Sequence, residues 1–211
     1  MNDSHLSTTR GRPVNEEARL ERMRKILAGA RACFVRSGFH ASSIAEISAA
    51  AGVSTANIYQ YYPNKDALIL ALIEEDLEVD LQLIGMIGRT DFSSHAVQQI
   101  LEPFLYSESG RAVAALRAEI ISEAARNATV MAMVASNDAK SIAAIARAIE
   151  QAKTNGLVGK SVDSDAVAEQ MGLMFEAILR QILIAPDRSR HIFAHYLAHI
   201  DAVLSPSERK P

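Results

Sequence analysis

The chain has 211 residues, 49% hydrophobic and 22% charged, with a formal net charge of −3, no tryptophan and one cysteine. That balance excludes a disordered chain, and the lone Cys33 excludes an internal disulfide. The longest purely apolar run, Ala67 to Ile73, is too short to cross a bilayer, and the polar N-terminus has no leader-like apolar segment, so a cytoplasmic protein is expected.

The charge is unevenly distributed. Residues 1–65 carry nine Lys or Arg against five acids, a net +4, and the remainder carries −7. A basic end with an acidic remainder suits a protein that presents one end to a polyanion.

In chain order, residues 1–13 read as a flexible basic arm, which either places Arg10 and Arg12, Arg12 foremost, in a minor groove or forms a solvated tail. From Asn15 to about Arg36, Leu20, Met23, Ile26, Leu27, Ala30 and Phe34 recur at helical spacing, and Gly38 ends the stretch. Cys33 shares this apolar face and reads as a small buried hydrophobe. Ser43 with Glu46 forms a capping box for a short helix, Gly52 makes a tight turn, and Ser54 caps a second short helix from Thr55 to about Tyr61. A long helix starts near Lys65 and runs to Gly85 or Gly88. Five more are expected over 94–106, 111–126, 129–155, 164–185 and 187–204, with Pro103 kinking or dividing the first. Sustained alternation is missing, so the fold is expected to be all-α, with about nine helices.

The segment from Ser43 to Tyr62 makes two short helices joined by a glycine-led turn, with Ile44, Ile47, Val53, Ile58 and Tyr62 spaced to pack inward. Thr55, Ala56, Asn57, Tyr59, Gln60 and Tyr61 are left outside, with no acid among them to repel phosphate. At the leading end of such a helix, Thr55, Asn57 or Gln60 would reach base edges, and Ala56 a thymine methyl. Ser43, Tyr59, Tyr61 and Lys65 suit phosphate, which sets register.

These residues resemble the TetR family of bacterial transcription regulators. The likeness runs through Arg24, Ile26-Leu27, Ala30, Phe34, Gly38-Phe39, Ser42 to Ile47, Ala51 to Ser54, Ile58 to Tyr62, Asn64 to Asp66 and Leu68, over roughly residues 15 to 75. It implies DNA contacts at Ser43, Thr55, Ala56, Asn57, Tyr59, Tyr61 and Lys65, and a core role for Tyr62. Ala45 departs from the polar or basic residue some members carry there. The resemblance also implies a homodimeric repressor released from a palindromic operator when a small molecule changes the separation of its two recognition helices. An activator without a ligand and, from another class, an enzyme using a C-terminal cavity are the competing readings; no nucleophile–base pair or phosphate cradle favours the enzyme.

On this reading residues 14–66 form the DNA-binding domain and 67–211 a ligand-binding and dimerisation domain, with no cofactor. Met86, Phe104, Leu105, Leu116, Ile120, Met131, Met133, Val134, Met171 and Met174 are candidate pocket walls for a largely apolar effector, although a Met-rich stripe equally suits ordinary core. Glu119, Glu123 and Gln170, with Arg117 and Glu176, are the polar residues that would orient it or else face solvent, Glu176 pairing with Arg180. The broad apolar arc of the last two helices assigns Phe175, Ile178, Leu179, Ile182, Phe193, Tyr196, Leu197 and Ile200 to a four-helix dimer interface. His191, His195 and His199 line one helix edge; the row reads as a solvated or subunit-edge stripe, and no metal is assigned to it.

Overall fold

The computed structural model describes residues 16–204; the expectation placed on Arg10 and Arg12 lies outside them. Among the described residues there are nine helices and no strand: α1 (Glu16–Ser37), α2 (Ile44–Ala51), α3 (Thr55–Tyr61), α4 (Lys65–Ile87), α5 (Ser94–Leu105), α6 (Glu108–Ala124), α7 (Ala128–Thr154), α8 (Ser164–Ile184) and α9 (Pro186–Leu204). None of them is long and apolar enough to cross a membrane.

Local chemistry sets the boundaries. Gly38 closes α1 at φ 81, with its N–H donated to Phe34 O at 2.8 Å. Ser43 caps α2 in a reciprocal box with Glu46, and Gly52 ends it at φ 65, in the left-handed region that favours glycine. Ser54, Asn64, Ser93, Ser107, Asn127 and Asp163 cap the later helices in the same manner. Two boundaries differ from the expectation. α6 begins at Glu108 rather than Arg111, because Ser107 caps it and Gly110 lies inside its first turn. α5 is one helix that runs through Pro103 and ends two residues later, where few hydrogen bonds are left for the ring to break.

Two apolar cores result. The first joins Ile26, Ala30, Cys33, Phe34, Ile47, Ile58 and Tyr62 to Leu68, Ile69, Leu72 and Ile73 of α4, and recruits Leu116 and Ile120 of α6 and Val130 of α7. A boundary at residue 66 therefore cuts α4 away from a core that its first turns help to build. The α1–α2 crossing is close: a Cβ on Gly29 would lie 2.9 Å from both the backbone nitrogen and the Cβ of Ala51. The second core gathers α5, α8 and α9 with parts of α4, α6 and α7 around Val97, Leu105, Ile149, Ile178, Phe193 and Ile200.

That second core corrects the assignment of the dimer face. Ile178, Leu179, Ile182, Phe193, Tyr196 and Ile200 are buried inside their own chain, and Phe175 and Leu197 pack partly against the same core. α8 and α9 use their widest apolar arc on each other and on α5 and α7. What they leave outside on α8 is Leu173, 68% exposed, and Ile184, 65% exposed.

A buried ion cluster ties three helices together. Asp76 and Asp80, one turn apart on α4, accept from Arg117 of α6 at 2.6 Å and 2.7 Å, and Glu176 of α8 closes the set. Burial opposes the guanidinium charge, but Asp76, Asp80 and Glu176 outweigh it and push its pKa up. Asp80 is pushed up to about 6, chiefly by burial, with Arg117 pulling the other way.

Two outcomes follow for stability. Ala in place of Gly in a helix ordinarily gains about 1 kcal/mol, but at Gly29 the clash with the Ala51 backbone dominates. Gly29→Ala should therefore cost about 1–3 kcal/mol in chemical denaturation. The second concerns pH: Asp80 binds its proton more tightly folded than unfolded, where its value is near 3.8. Its stabilising contribution is full below about pH 4 and is lost as pH rises through about 6. Between pH 5 and pH 7.5 the melting temperature of the parent should therefore fall more than that of Asp80→Asn.

Candidate nucleic-acid interface and cavity

α3 has seven residues, and its packing decides which of them face outward. Ile58 is fully buried and Tyr62, just beyond its end, is 5% exposed. The same rotation leaves Ser54, Thr55, Ala56, Tyr59 and Gln60 exposed, with Asn57 half-buried at the helix start. Ser54 Oγ accepts from Asn57 N at 3.1 Å, and the Asn57 side-chain amide donates to Gln60 Oε1 at 3.3 Å. Asn57 and Gln60 thus hold each other as a paired amide edge on the outer side of α3. Tyr61 is half-buried against the first core, leaving Tyr59 as the more exposed ring.

Two of the expected phosphate contacts have work within the fold. Ser43 Oγ donates to Glu46 Oε2 at 2.9 Å while accepting the Glu46 N–H, although the residue stays exposed at the start of α2. Lys65 is turned inward: its ammonium donates to Phe39 O at 2.6 Å, His40 O at 3.3 Å and Ser42 O at 3.0 Å, above the Phe39 ring. Three carbonyls take its three donors. The lysine clamps the loop between α1 and α2 to the start of α4.

The far side of that loop meets α6. Glu119 Oε2 accepts from Phe39 N at 3.2 Å, and Glu123 Oε2 lies 2.8 Å from His40 Nε2. These two acids, expected to orient a ligand, instead connect the N-terminal unit to the helix that carries Arg117.

The cavities lie deeper, the larger between α4, α6, α7 and α8 and the smaller between α4, α5, α7, α8 and α9. The larger, about 570 Å³, is lined by Ile73, Leu77, Ala114, Arg117, Ile120, Val134 and Leu179, among others. The smaller, about 180 Å³, is lined by Leu83, Ile87, Phe92, Leu101, Ile145, Met171 and Tyr196, among others. Asp80, Asp138, Ser141 and Glu176 border both, so a polar waist separates two apolar lobes. Phe92 sits in the smaller lobe at φ 58, a strained conformation for an aromatic residue.

Of the expected walls, Ile120 and Val134 line the larger lobe and Met171 the smaller. The rest lie elsewhere. Leu105 and Leu116 are fully buried in the two cores, and Phe104, Met133 and Met174 pack at their margins. Met86 is 44% and Met131 55% exposed. Gln170 is at the surface, its Oε1 3.1 Å from His199 Nε2. His191 and His195 stand 3.0 Å apart through their Nε2 atoms, and among the described residues no three His, Cys, Asp or Glu side chains gather as a metal set. Glu176 turns to Arg117 rather than Arg180. Sequence reasoning missed Asp76 and Asp80; they lie one turn apart on α4, but Glu74, Glu75 and Glu78 around them make the stretch read as a solvated acidic one.

Residues 26–72 match the family described as bacterial regulatory proteins, tetR family. The HTH-type transcriptional repressor Rv1474c of Mycobacterium tuberculosis is 38% identical over 65 residues, 31% of this chain and 35% of that repressor's own length. The HTH-type transcriptional regulator UidR of Escherichia coli is 28% identical over 141 residues, 66% of this chain and 70% of its own. Among solved structures, Salmonella enterica GusR superposes with a TM-score of 0.72 at 25% identity, covering 88% of this chain and 96% of its own. The motif match over residues 26–72 and the superposition on GusR agree: the N-terminal helix-turn-helix is similar to that of the tetR family of bacterial regulatory proteins, on a fold like that of GusR.

Proposed function

We propose that the chain is a sequence-specific DNA-binding repressor, acting as a homodimer on a palindromic operator in the cytoplasm and released by a small-molecule effector. The observation that carries this reading is the outward face of α3. It presents an acid-free surface of Thr55, Ala56, Asn57, Tyr59 and Gln60, held rigidly by the burial of Ile58 and Tyr62 beneath it. Such a helix start fits a major groove, and two copies about 34–36 Å apart fit successive grooves on one side of the duplex. The exposed Leu173 and Ile184 support the outer surface of α8 as the seat of the second copy. The cavity volumes fall in the range of a small-molecule site, larger lobe and smaller together.

Residues 14–66 serve as the DNA-binding unit and the rest as the effector and dimerisation unit, with α4 common to both. Its first turns lie in the N-terminal core and its later ones, Asp76 to Ile87, line the cavities. α6 repeats this arrangement, with Glu119 and Glu123 reaching the α1–α2 loop and Arg117 reaching the cavity. An effector that reorganises the Arg117 cluster acts on both helices on which the reading head rests.

The test is fluorescence anisotropy on a duplex taken from DNA upstream of the chain's own gene, against a scrambled duplex. The parent should prefer the former, with half-site symmetry. Asn57→Ala and Gln60→Ala should each lose about 1–3 kcal/mol of that preference. Lys65→Met should lower the melting temperature and leave the slope of log affinity against log salt unchanged, because its charge is held by carbonyls and not by phosphate. Equal binding of both duplexes by the parent and by the α3 variants would overturn the assignment; a flattened salt slope in Lys65→Met would return that lysine to the phosphate backbone.

A further inference from the structure

The geometry points to an organic cation bearing N–H donors on a largely apolar body as the effector, its charged end at the acidic waist between the two lobes. This deepens the effector-released reading and rests on it. The waist is formed by Asp80, Asp138, Ser141 and Glu176, and Asp76 lies beside it on the wall of the larger lobe. Four carboxylates therefore face a cluster whose buried cation is Arg117. That guanidinium is committed to Asp76, Asp80 and Glu176, and offers a ligand carboxylate little. A second anion placed here would meet like charges at close range in a poorly hydrated space.

An independent observation asks for a donor. Asp76 is 8% exposed, and its Oδ1 is buried without a hydrogen-bond partner, while Oδ2 is held by Arg117. A buried carboxylate oxygen left unsatisfied is costly, and an incoming N–H would satisfy it. Asp138 supplies a further acid at the open end, outside the Arg117 ion-pair set. On both sides of the waist the walls are aliphatic and aromatic, from Leu77 and Ile120 on one side to Ile87 and Phe92 on the other. The charge selects the head of the ligand, and the lobes select its body.

The experiment is isothermal titration calorimetry of the full chain, without DNA, against octylammonium, octyltrimethylammonium, octanoate and octanol, each below its micellar concentration. Octylammonium should bind roughly tenfold or more tighter than octanoate and octanol, from the charge at the waist. It should also bind more tightly than octyltrimethylammonium, which has no N–H to offer Asp76. Asp80→Asn and Asp138→Asn should each weaken octylammonium several-fold and leave octanol unchanged; Asp138→Asn removes a mouth residue and keeps the buried pairs intact. Octanoate or octanol binding as tightly as octylammonium, an equal affinity for the trimethylammonium probe, no measurable octylammonium binding, or indifference to both variants would overturn the inference. Since DNA is absent from the titration, a failure here leaves the anisotropy result standing, and a failure there leaves the cation-binding measurement intact while removing its role as an effector.

Discussion

Arg117 of α6 bridges α4 and α8. Its side chain is 14% exposed, and the guanidinium closes on two carboxylates from α4 and one from α8. Buried pairs of this kind add little net stability compared with a well-packed apolar alternative, yet removing one partner strands the others at a cost of about 3–5 kcal/mol. The arrangement therefore fixes geometry more than it adds stability. It sets the spacing of three helices around an open volume that apolar contact alone would tend to close.

The N-terminal helical unit depends on that spacing through two separate supports. α4 enters the N-terminal core with Leu68, Ile69, Leu72 and Ile73 and reaches the ion cluster one turn later at Asp76. α6 places Leu116 and Ile120 in the same core, and its next acids hold the loop at Phe39 and His40. Lys65 closes the loop from the other side by binding three of its carbonyls. α3 packs through Ile58 against this assembly, so its outward face is oriented by elements that also border the cavity. The waist and the outward face of α3 are thus joined through α4 and α6, which pack in the N-terminal core and also border the cavity.

The α3 face was legible in the sequence because a helical period alone decides it: Ile58 and Tyr62 turn inward, so Tyr59 and Gln60 must turn out. Caps were legible for the same local reason, as Ser43 and Ser54 show. The cavity was not, because its walls come from helices whose partners only tertiary packing selects. Arg117 meets acids 37 and 41 residues away, and no spacing rule links them. Methionine content was a poor guide, since Met86 and Met131 face outward and Met171 alone of the candidate methionines lines a lobe. In the sequence the apolar arc of α8 and α9 looks wider than one core needs. In the folded chain the core uses nearly all of it, and the outward apolar residues, Leu173 and Ile184, lay outside the chosen stripe. Lys65 shows the remaining difficulty: a lysine next to a DNA-reading motif suits phosphate by position, and only the placement of three loop carbonyls shows that its charge is held within the protein.

Hydrogen–deuterium exchange on the parent and on Arg117→Met tests the hub most directly. The loss of the guanidinium should speed exchange through the Asp76–Asp80 turn of α4 and in the facing turns of α6 and α8, while the buried centre of α1 around Ile26 to Phe34 keeps its protection. Unchanged protection along α4 in the variant would contradict the account, because the helices would then be held in place without the cluster.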